Sequence, residues 1–178
     1  MRLEKGTFAP SFETLSTHGV EVGLEKLKGK KVLLSFYRYA SCPLCNLRVQ
    51  ELLSYKDQLE EQGLVMIAVF QSTAERINAY VEKSDVPIII IPDPELRLYK
   101  RYGLENSWLG MIKAMLKPSK FIKAKALGFS PGPTDGPVNR LPGDFIIDET
   151  GKLIECYYGA DIGDHLSIDK MLAYLKKE

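Results

Sequence analysis

The sequence predicts an α/β fold: a parallel βαβ core, then an insertion, then a ββα unit. Two patterns carry this prediction. In the first part of the chain, short apolar runs alternate with segments of helical periodicity, which is typical of parallel strands joined by helices. Near the end, two extended segments joined by a turn precede a final helix. With 178 residues, 45% of them hydrophobic, the whole chain 1–178 is expected to form one domain.

The composition narrows the class of protein. Lys and Arg number 24 and Asp and Glu number 23, so the net charge gives no reason to expect a nucleic-acid partner. Neither an apolar leader nor a run of ~18 apolar residues occurs, so we expect a soluble, cytoplasmic protein without a transmembrane segment. In a reducing cytoplasm, a closely spaced cysteine pair is more often catalytic or metal-binding than a structural disulfide.

The first predicted elements are a hairpin, a strand and a helix. Phe12–Leu27 contains two short extended pieces around a turn. The apolar run Val32–Tyr37 predicts a central strand that is covered on both faces. From Cys42 onward the spacing is helical, and Gly63 is a favourable residue to end that helix. The apolar stripe of the helix consists of Cys45, Val49, Leu52 and Leu59.

The next elements continue this alternation. Apolar runs predict strands at Leu64–Phe70 and Val86–Ile91, with a helix between them at Thr73–Lys83. A short helix is predicted over Asp93–Gly103, with Pro94 at its first position. The order strand, helix, strand, helix, strand favours parallel strands with right-handed connections.

An insertion interrupts the rhythm at about residues 104–140. Asn106–Thr134 contains five lysines and no acidic residue, and it leads into a segment rich in Pro and Gly. We expect one amphipathic helix here, Trp108–Leu116, and a long loop. The basic stretch Trp108–Lys125 could contact a membrane surface or an acidic partner. The favoured interpretation is a lid that packs its apolar side on the domain and leaves its lysines in water.

Regular structure resumes after the insertion. Asp144–Asp148 and Leu153–Gly159 predict a β-hairpin, because both are rich in branched or aromatic residues and a turn segment separates them. Ser167–Lys177 predicts a final helix that begins after a Ser N-cap and ends in lysine.

Two cysteines, Cys42 and Cys45, lie where the buried strand is expected to give way to the helix. At that junction the N–H groups and dipole of the helix favour a thiolate at Cys42, whereas Cys45 follows one turn later on the apolar stripe. Pro43 suits the first helical turn, because an N–H group at that position has no acceptor within the helix. One cysteine could therefore attack a substrate while the other resolves the product.

Two other interpretations of the pair stay open. A zinc site needs four ligands, and the further candidates are Cys156, His18 and His165, without a second CxxC or a paired-histidine spacing. Alternatively, both cysteines are core residues, since a free cysteine packs like a small hydrophobic side chain.

The chain resembles the alkyl hydroperoxide reductase and thiol-specific antioxidant (AhpC/TSA) family in the segments GTFAPSFETL, LKGKKVLLSFYRYASCPLCNLRVQEL and LPGDFIIDETGKLIECYYGADIGDH. The resemblance is to its peroxiredoxin-like branch with a CxxC centre, and it covers nearly the whole chain. It implies a thioredoxin-like fold: a central mixed sheet with helices on both faces and a redox cysteine at the start of the helix after a central strand.

The resemblance also implies roles for single residues. It makes Cys42 the nucleophile and Cys45 the resolving cysteine. It makes Pro142 a cis-proline facing the pair, with Leu141 presenting its backbone to a bound thiol partner. Asp144, which follows this turn, could act on the proton of Cys45, although an ordinary turn acid is the favoured interpretation.

The remaining candidates concern the charge and the hydroxyl beside the nucleophile. Arg38 and Arg140 are candidate stabilisers of the thiolate or peroxide, with surface salt bridges as the alternative. Typical family members place Pro and Thr seven and three residues before the nucleophile, where this chain has Ser35 and Tyr39. Ser41 and Tyr39 are therefore the candidates to replace the missing hydroxyl.

The expected activity is the reduction of hydroperoxides through a dithiol–disulfide cycle of Cys42 and Cys45. The cycle needs no cofactor but an external reductant: a thioredoxin, a glutaredoxin or a small thiol. One alternative is a thioredoxin-like oxidoreductase that acts on protein disulfides. Another is a non-catalytic binding module whose cysteines are structural or bind a metal. A homodimer is one compatible oligomeric state.

Overall fold

A computed structural model describes residues 1–81 and 88–175 of the chain. Strands and helices follow one another largely in the predicted order, and both predicted hairpins are present. The strands are β1 (Glu13–Leu15), β2 (Glu21–Gly23), β3 (Lys31–Phe36), β4 (Leu64–Phe70), β5 (Ile88–Pro92), β6 (Gly143–Ile147) and β7 (Leu153–Tyr158). The helices are α1 (Pro43–Ser54), α2 (Lys56–Glu61), α3 (Ala74–Tyr80), α4 (Arg97–Arg101), α5 (Trp108–Met115), α6 (Pro118–Ala126) and α7 (Ile168–Leu175), with a short 3₁₀ helix at Glu25–Leu27.

The main sheet has five strands in the order β5-β4-β3-β6-β7. β3, β4 and β5 are parallel, whereas β6 pairs antiparallel with β3 and β7 antiparallel with β6. At the centre, Leu34 of β3 lies opposite Ile67 of β4 and Phe145 of β6. The predicted mixed sheet is therefore confirmed. Its inner strands are nearly continuous apolar runs because both faces of the sheet are covered.

Side chains of β3 alternate between two apolar layers. Leu33 packs into the layer that contains α1, α2, α3 and α7. Leu34 and Phe36 pack into the opposite layer, against α4 and the N-terminal hairpin. This alternation follows from the two-residue period of a strand. The prediction of helices on both faces is confirmed, and Cys42 and Cys45 lie in the first layer.

The predicted single helix from Cys42 to Gly63 is wrong in one respect, because it breaks at Tyr55. The N–H of Tyr55 donates to the carbonyl of Leu52, three residues back, so the last turn of α1 is tight and α2 starts with a new direction. The break places Leu59 of α2 fully inside the core. Gly63, at φ +71°, ends α2 as predicted.

The helix predicted over Asp93–Gly103 begins later than expected. Pro94 does not start it; α4 begins at Arg97, after Leu96 in a left-handed conformation with φ 58°. The buried carboxylate of Asp93 accepts hydrogen bonds from the N–H groups of Arg97 and Leu98, at 2.9 and 2.7 Å. An acidic side chain therefore accepts hydrogen bonds from free N–H groups at the start of α4, but a turn separates it from the first residue of the helix.

The insertion contains two helices, α5 and α6, where one was predicted. Its orientation also differs from the expected lid with an inward apolar side. Small residues, Gly110 and Ala114 of α5 and Ala124 of α6, are buried. Two larger apolar side chains, Met111 and Phe121, are partly buried against the core. Seven others are exposed: Trp108, Leu109, Ile112, Met115, Leu116, Ile122 and Leu127.

Three predicted elements reach beyond the described residues. The helix predicted over Thr73–Lys83 is observed as α3, and its last two residues lie outside the described part. The strand predicted over Val86–Ile91 is observed as β5, with 86 and 87 outside that part. The same holds for the last two residues of the helix predicted over Ser167–Lys177.

Candidate active site

Cys42 is the N-cap residue of α1, at the point where the chain leaves the central strand β3. Pro43 occupies the first helical position as predicted, and the sulfur of Cys42 accepts a hydrogen bond from the N–H of Cys45 at 3.4 Å. Cys42 is 0% exposed. The sequence-predicted junction of buried strand, cysteine and helix is therefore present, with the sulfur at the positive end of the helix.

Arg38 contacts both sulfurs of the pair. Its Nη2 donates to Sγ of Cys42 at 2.9 Å, and its backbone N–H donates to Sγ of Cys45 at 3.4 Å. Its Nη1 donates to the carbonyl oxygen of Val138 at 2.6 Å, and the guanidinium lies over the ring of Tyr39. The buried guanidinium is thereby held against the sulfur of Cys42 by partners from two parts of the chain.

The two thiols are held in opposite protonation states. Burial alone would raise the pKa of Cys42, but the hydrogen bond from the Cys45 thiol and the charge of Arg38 outweigh it and lower that pKa to about 6. Burial raises the pKa of Cys45 well above the usual thiol range, and the proton that Cys45 shares with Cys42 raises it further. Cys42 is thus the thiol of the pair that ionises near neutral pH, whereas Cys45 keeps its proton.

Asn46 fixes the loop that carries Cys42. Its Nδ2 donates to the carbonyl oxygens of Ala40 and Cys42, at 2.8 and 3.1 Å. The N–H of Ala40 in turn donates to Oγ of Ser72 at 2.8 Å. Sequence periodicity placed Asn46 outside the apolar stripe of the helix, yet it is 8% exposed. Its role was missed because periodicity identifies apolar faces and gives no signal for a buried amide that serves a loop.

Residues 130–138, which we call the strap, are hydrogen-bonded to residues that surround Cys42. Ser41 donates its hydroxyl to the carbonyl oxygen of Pro133 at 2.6 Å. Gln71 donates to the carbonyl oxygens of Asp135 and Pro137, and Ser72 donates to Oδ1 of Asp135. These bonds, with that from Arg38 to Val138, fasten the strap beside the pair.

Neither of the two candidate hydroxyls forms a hydrogen bond with Cys42 in the described residues. That of Ser41 is committed to the strap. Tyr39 presents the face of its ring to the guanidinium of Arg38, with 5.2 Å between ring centroid and Cζ. Across residues 1–81 and 88–175, no hydrogen bond joins either hydroxyl to a cysteine sulfur.

The prediction of a cis-proline at Pro142 is wrong. No cis peptide bond occurs in the described residues, so the bond before Pro142 is trans. The backbone N–H of Leu141, expected to face a thiol partner, instead donates to the carbonyl oxygen of Glu105 at 3.0 Å. Gly110 of α5 packs so closely on Leu141 that an added Cβ would lie 2.6 Å from its Cδ2. The insertion thus occupies the backbone edge that a disulfide substrate would use.

Arg140 lies apart from the sulfurs. Its Nη1 donates to the carbonyl oxygen of Leu104 at 3.0 Å, and its guanidinium lies over the ring of Tyr99. Within the described part of the chain, no hydrogen bond joins it to Cys42 or Cys45. Of the two arginines predicted from the sequence, Arg38 is the one beside the pair.

A buried polar cluster lies in the same layer as the pair. Asp144 accepts hydrogen bonds from the hydroxyl of Ser35 at 2.7 Å and the N–H of Leu166 at 2.7 Å, and its carboxylate lies 3.1 Å from Nδ1 of His165. Burial opposes ionisation, but the bonded His165, the charge of Arg48 and the hydrogen bond from Ser35 outweigh it and lower the pKa of Asp144 to about 2. Asp144 is therefore a buried carboxylate within β6 rather than the ordinary turn acid expected from the sequence.

The other zinc candidates do not join the cysteine pair. Cys156 packs in the opposite layer of the sheet, and burial raises its pKa to about 11. No group of three or more His, Cys, Asp or Glu side chains suited to a metal ion occurs in the described residues. In the same part of the chain, no helix is long and apolar enough to span a bilayer.

The chain matches known proteins in sequence and in fold. The model of the AhpC/TSA family matches residues 6–156. A Haemophilus influenzae protein named as a candidate Bcp peroxiredoxin is 25% identical over 163 residues, 92% of this chain and 91% of that protein. The Escherichia coli peroxiredoxin Bcp is 26% identical over 110 residues, 61% of this chain and 70% of that protein.

Solved structures give the same fold. Peroxidoxin BcpB of Mycobacterium tuberculosis superposes with a TM-score of 0.70 at 16% identity, over 98% of this chain and 97% of that chain. A 2-Cys peroxiredoxin of Plasmodium vivax superposes with a TM-score of 0.68 at 17% identity, over 96% of this chain and 79% of that chain. The predicted thioredoxin-like fold is therefore confirmed.

Proposed function

The chain belongs to the AhpC/TSA family, and we propose that it reduces hydroperoxides through a dithiol–disulfide cycle of Cys42 and Cys45. The family match confirms the membership that the sequence predicted. The peroxiredoxin names of its relatives support a thiol-dependent peroxidase activity. The assignment of the two cysteines rests on the geometry of this chain.

The contact between Arg38 and Cys42 is the observation that carries the proposal. A thiolate at a helix N-terminus, 2.9 Å from a guanidinium, is both the nucleophile and the start of an anion site. The attack on a peroxide transfers negative charge from sulfur to the leaving oxygen. A fixed guanidinium at the sulfur is well positioned to stabilise that charge as it develops.

In the first step, the thiolate of Cys42 attacks the terminal oxygen of a hydroperoxide. A sulfur–oxygen bond forms, the oxygen–oxygen bond breaks, and the leaving alkoxide takes up a proton to become an alcohol. Cys42 is oxidised to a sulfenic acid, and the peroxide is reduced by two electrons.

In the second step, the sulfur of Cys45 attacks the sulfenic sulfur of Cys42. The disulfide forms, the proton of Cys45 leaves with the hydroxyl group, and water is released. An external reductant then restores both thiols: two equivalents of a small thiol, or one dithiol protein of the thioredoxin or glutaredoxin type, is oxidised to its disulfide. We place this cycle in the cytoplasm, where such reductants keep thiols reduced.

Exchange with protein disulfides is less compatible with the site. A protein substrate needs an exposed sulfur and an open backbone edge, but Cys42 is 0% exposed and Leu141 is already bonded to Glu105. A hydroperoxide is small enough to enter after a limited movement of the strap. Access to Cys42 is therefore expected to depend on opening of residues 130–138.

Peroxide consumption at low enzyme concentration, with a small dithiol as reductant, tests the proposal. We expect turnover in the wild type and none in Cys42→Ser. In Cys45→Ser, we expect Cys42 to accumulate as a sulfenic acid, which a sulfenic-acid reagent should trap. Cys156→Ser is the matched control and should retain turnover. Mass spectrometry of the peroxide-treated wild type should show the loss of two hydrogens across the peptide that contains both cysteines.

Two results would reject the proposal. One is peroxide consumption that persists in Cys42→Ser. The other is the absence of peroxide consumption together with Cys42-dependent reduction of a protein disulfide, which would assign the site to disulfide exchange.

A further inference from the structure

We propose that the exposed face of α5 and α6 binds an anionic lipid surface. We use the name insertion face for the exposed apolar and basic residues of these two helices and their ends: Trp108, Leu109, Ile112, Met115, Leu116, Ile122, Leu127, Lys113, Lys123 and Lys125. The proposal concerns where the protein binds and is independent of the reaction at Cys42.

Most of the large apolar residues of α5 point away from the domain, whereas Met111 is partly buried against the core. Trp108, Ile112 and Met115 follow one another at helical spacing and form a stripe, which Leu109 and Leu116 widen. Their exposure is large, 65% for Trp108 and 77% for Leu116. An amphipathic helix normally buries such a stripe in the core of its protein. The outward orientation of this stripe therefore indicates a binding surface for a partner molecule or a membrane.

The opposite side of the same helix explains how this orientation is held. Gly110 approaches Leu141 and the backbone of Ala160 so closely that an added Cβ would lie 2.6 and 3.2 Å from them. Ala114 is buried beside it. A side with such small residues lets α5 lie close against the domain, and the helix cannot be rotated to bury its larger side chains without a clash.

The charge of the face selects its partner. The segment 106–134 has five lysines and no acidic residue. Lys117 pairs with Asp161, and Lys120 donates to the carbonyl oxygen of Gly163. Lys113, Lys123 and Lys125 are exposed and form no ion pair with any residue in the described ranges 1–81 and 88–175. On α6, Lys123 and Lys125 flank the exposed Ile122.

A bilayer of anionic lipids fits this combination. Apolar side chains on one face of a helix enter the boundary between headgroups and acyl chains, tryptophan favours that boundary, and lysines beside them bind the headgroups. A second copy of the chain fits less well, because a two-fold contact through α5 would bring lysines together with no carboxylate of the face to oppose them. A protein partner would need pockets for the exposed side chains, whereas a bilayer accepts them in any arrangement along a plane.

The single tryptophan of the chain allows a direct test. Full-length protein is mixed with vesicles of phosphatidylglycerol and, separately, of phosphatidylcholine, and binding is measured by co-sedimentation and by the emission of Trp108. We expect binding to the anionic vesicles with a blue shift of the emission, little binding to neutral vesicles, and release at high salt.

Two sets of variants separate the contributions of charge and apolar contact. Lys113→Glu/Lys123→Glu/Lys125→Glu should weaken binding at least about tenfold, since each lysine near an anionic surface contributes to the attraction. Leu109→Ser/Leu116→Ser should also weaken binding and reduce the blue shift. The matched control reverses the charge of three exposed lysines outside the insertion, Lys30→Glu/Lys100→Glu/Lys170→Glu, and should bind like the wild type. Peroxide consumption in free solution should be unchanged in all variants.

Three outcomes would overturn the proposal. The first is the absence of binding to anionic vesicles. The second is equal weakening by the control lysine variant, which would make the attraction a property of overall charge. The third is a dimer in analytical ultracentrifugation that dissociates in Leu109→Ser/Leu116→Ser, which would assign the face to self-association.

Discussion

Arg38 holds the sulfur of Cys42 with its side chain, at 2.9 Å, and the sulfur of Cys45 with its backbone N–H, at 3.4 Å. One residue therefore favours the thiolate of Cys42 and also holds the sulfur of Cys45 in place. The same guanidinium donates to the carbonyl oxygen of Val138, so the charge beside Cys42 and the position of the strap are linked.

Replacing Arg38 is expected to destabilise the thiolate form of Cys42 and so raise its pKa. In Arg38→Met the charge and the hydrogen bond to Cys42 are lost, so the pKa of Cys42 should rise from about 6 toward the usual thiol value of about 8.5. The thiolate absorbance in the ultraviolet, followed against pH and corrected with Cys42→Ser, measures this. Arg140→Met removes an arginine without a bond to either sulfur and should leave the titration in place. An unchanged titration in Arg38→Met would exclude the proposed role of Arg38.

The activity should fall at acidic pH. Because the pKa of Cys42 is lowered to about 6, the thiolate predominates above that pH and is lost below it. The rate of sulfenic-acid formation should be level above pH ~7, reach half near pH ~6 and fall roughly tenfold by pH ~5. Stopped-flow measurement of the first oxidation step gives this profile. An inflection that stays near pH 8 to 9 would contradict the lowered pKa.

Loosening the strap should expose Cys42. In Asp135→Ala the hydrogen bond from Ser72 is lost, and because bonds to charged groups contribute about 1.5–3 kcal/mol, alkylation of Cys42 should accelerate about tenfold or more. Gly132→Ala should act in the same direction, since an added Cβ would lie 2.8 Å from Cβ of Ser41. Labelling with iodoacetamide followed by mass spectrometry measures the rate. Asp169→Ala, on the exposed side of α7, is the control; equal rates in all four proteins would rule out gating by the strap.

Asp144 should make stability depend on pH in the acidic range. Its pKa is about 2 in the folded chain and about 3.9 in the unfolded chain, so its ionised form adds stability above pH ~4 that is lost as the pH falls toward 2. Relative to the wild type, Asp144→Asn should lower the free energy of unfolding by about 2 to 3 kcal/mol at pH 7. That difference should roughly halve by pH 3.

Urea unfolding at pH 7 and pH 3 measures this effect. Glu4→Gln replaces an exposed carboxylate outside the helices and should leave the stability nearly unchanged at both values of pH. If Asp144→Asn destabilises the chain equally at pH 7 and pH 3, the loss reflects packing alone and not the ionised carboxylate.

The sequence by itself determined the alternation of strands and helices, both hairpins and the position of the cysteine pair. These features depend on local patterns: Val32–Tyr37 is a short apolar run, and Pro43 and the spacing of Cys45, Val49 and Leu52 define a helix that starts at Cys42. Because strand period, helix period and capping involve neighbouring residues, they can be read without knowledge of the fold. The start of α4, the break at Tyr55 and the helix α6 were missed because turns and tight helical ends depend on where the chain must go next.

Only the tertiary structure decided which side chains reach the sulfurs. Arg38 and Arg140 are equivalent candidates in the sequence, but one contacts Cys42 and the other lies over Tyr99. The bond from Ser41 to Pro133 spans 92 positions, and that from Ser35 to Asp144 spans 109. Such partners meet only because the sheet brings distant segments together. The periodicity of α5 gave its apolar stripe correctly, but the stripe faces outward because the close approach at Gly110 fixes the orientation of the helix.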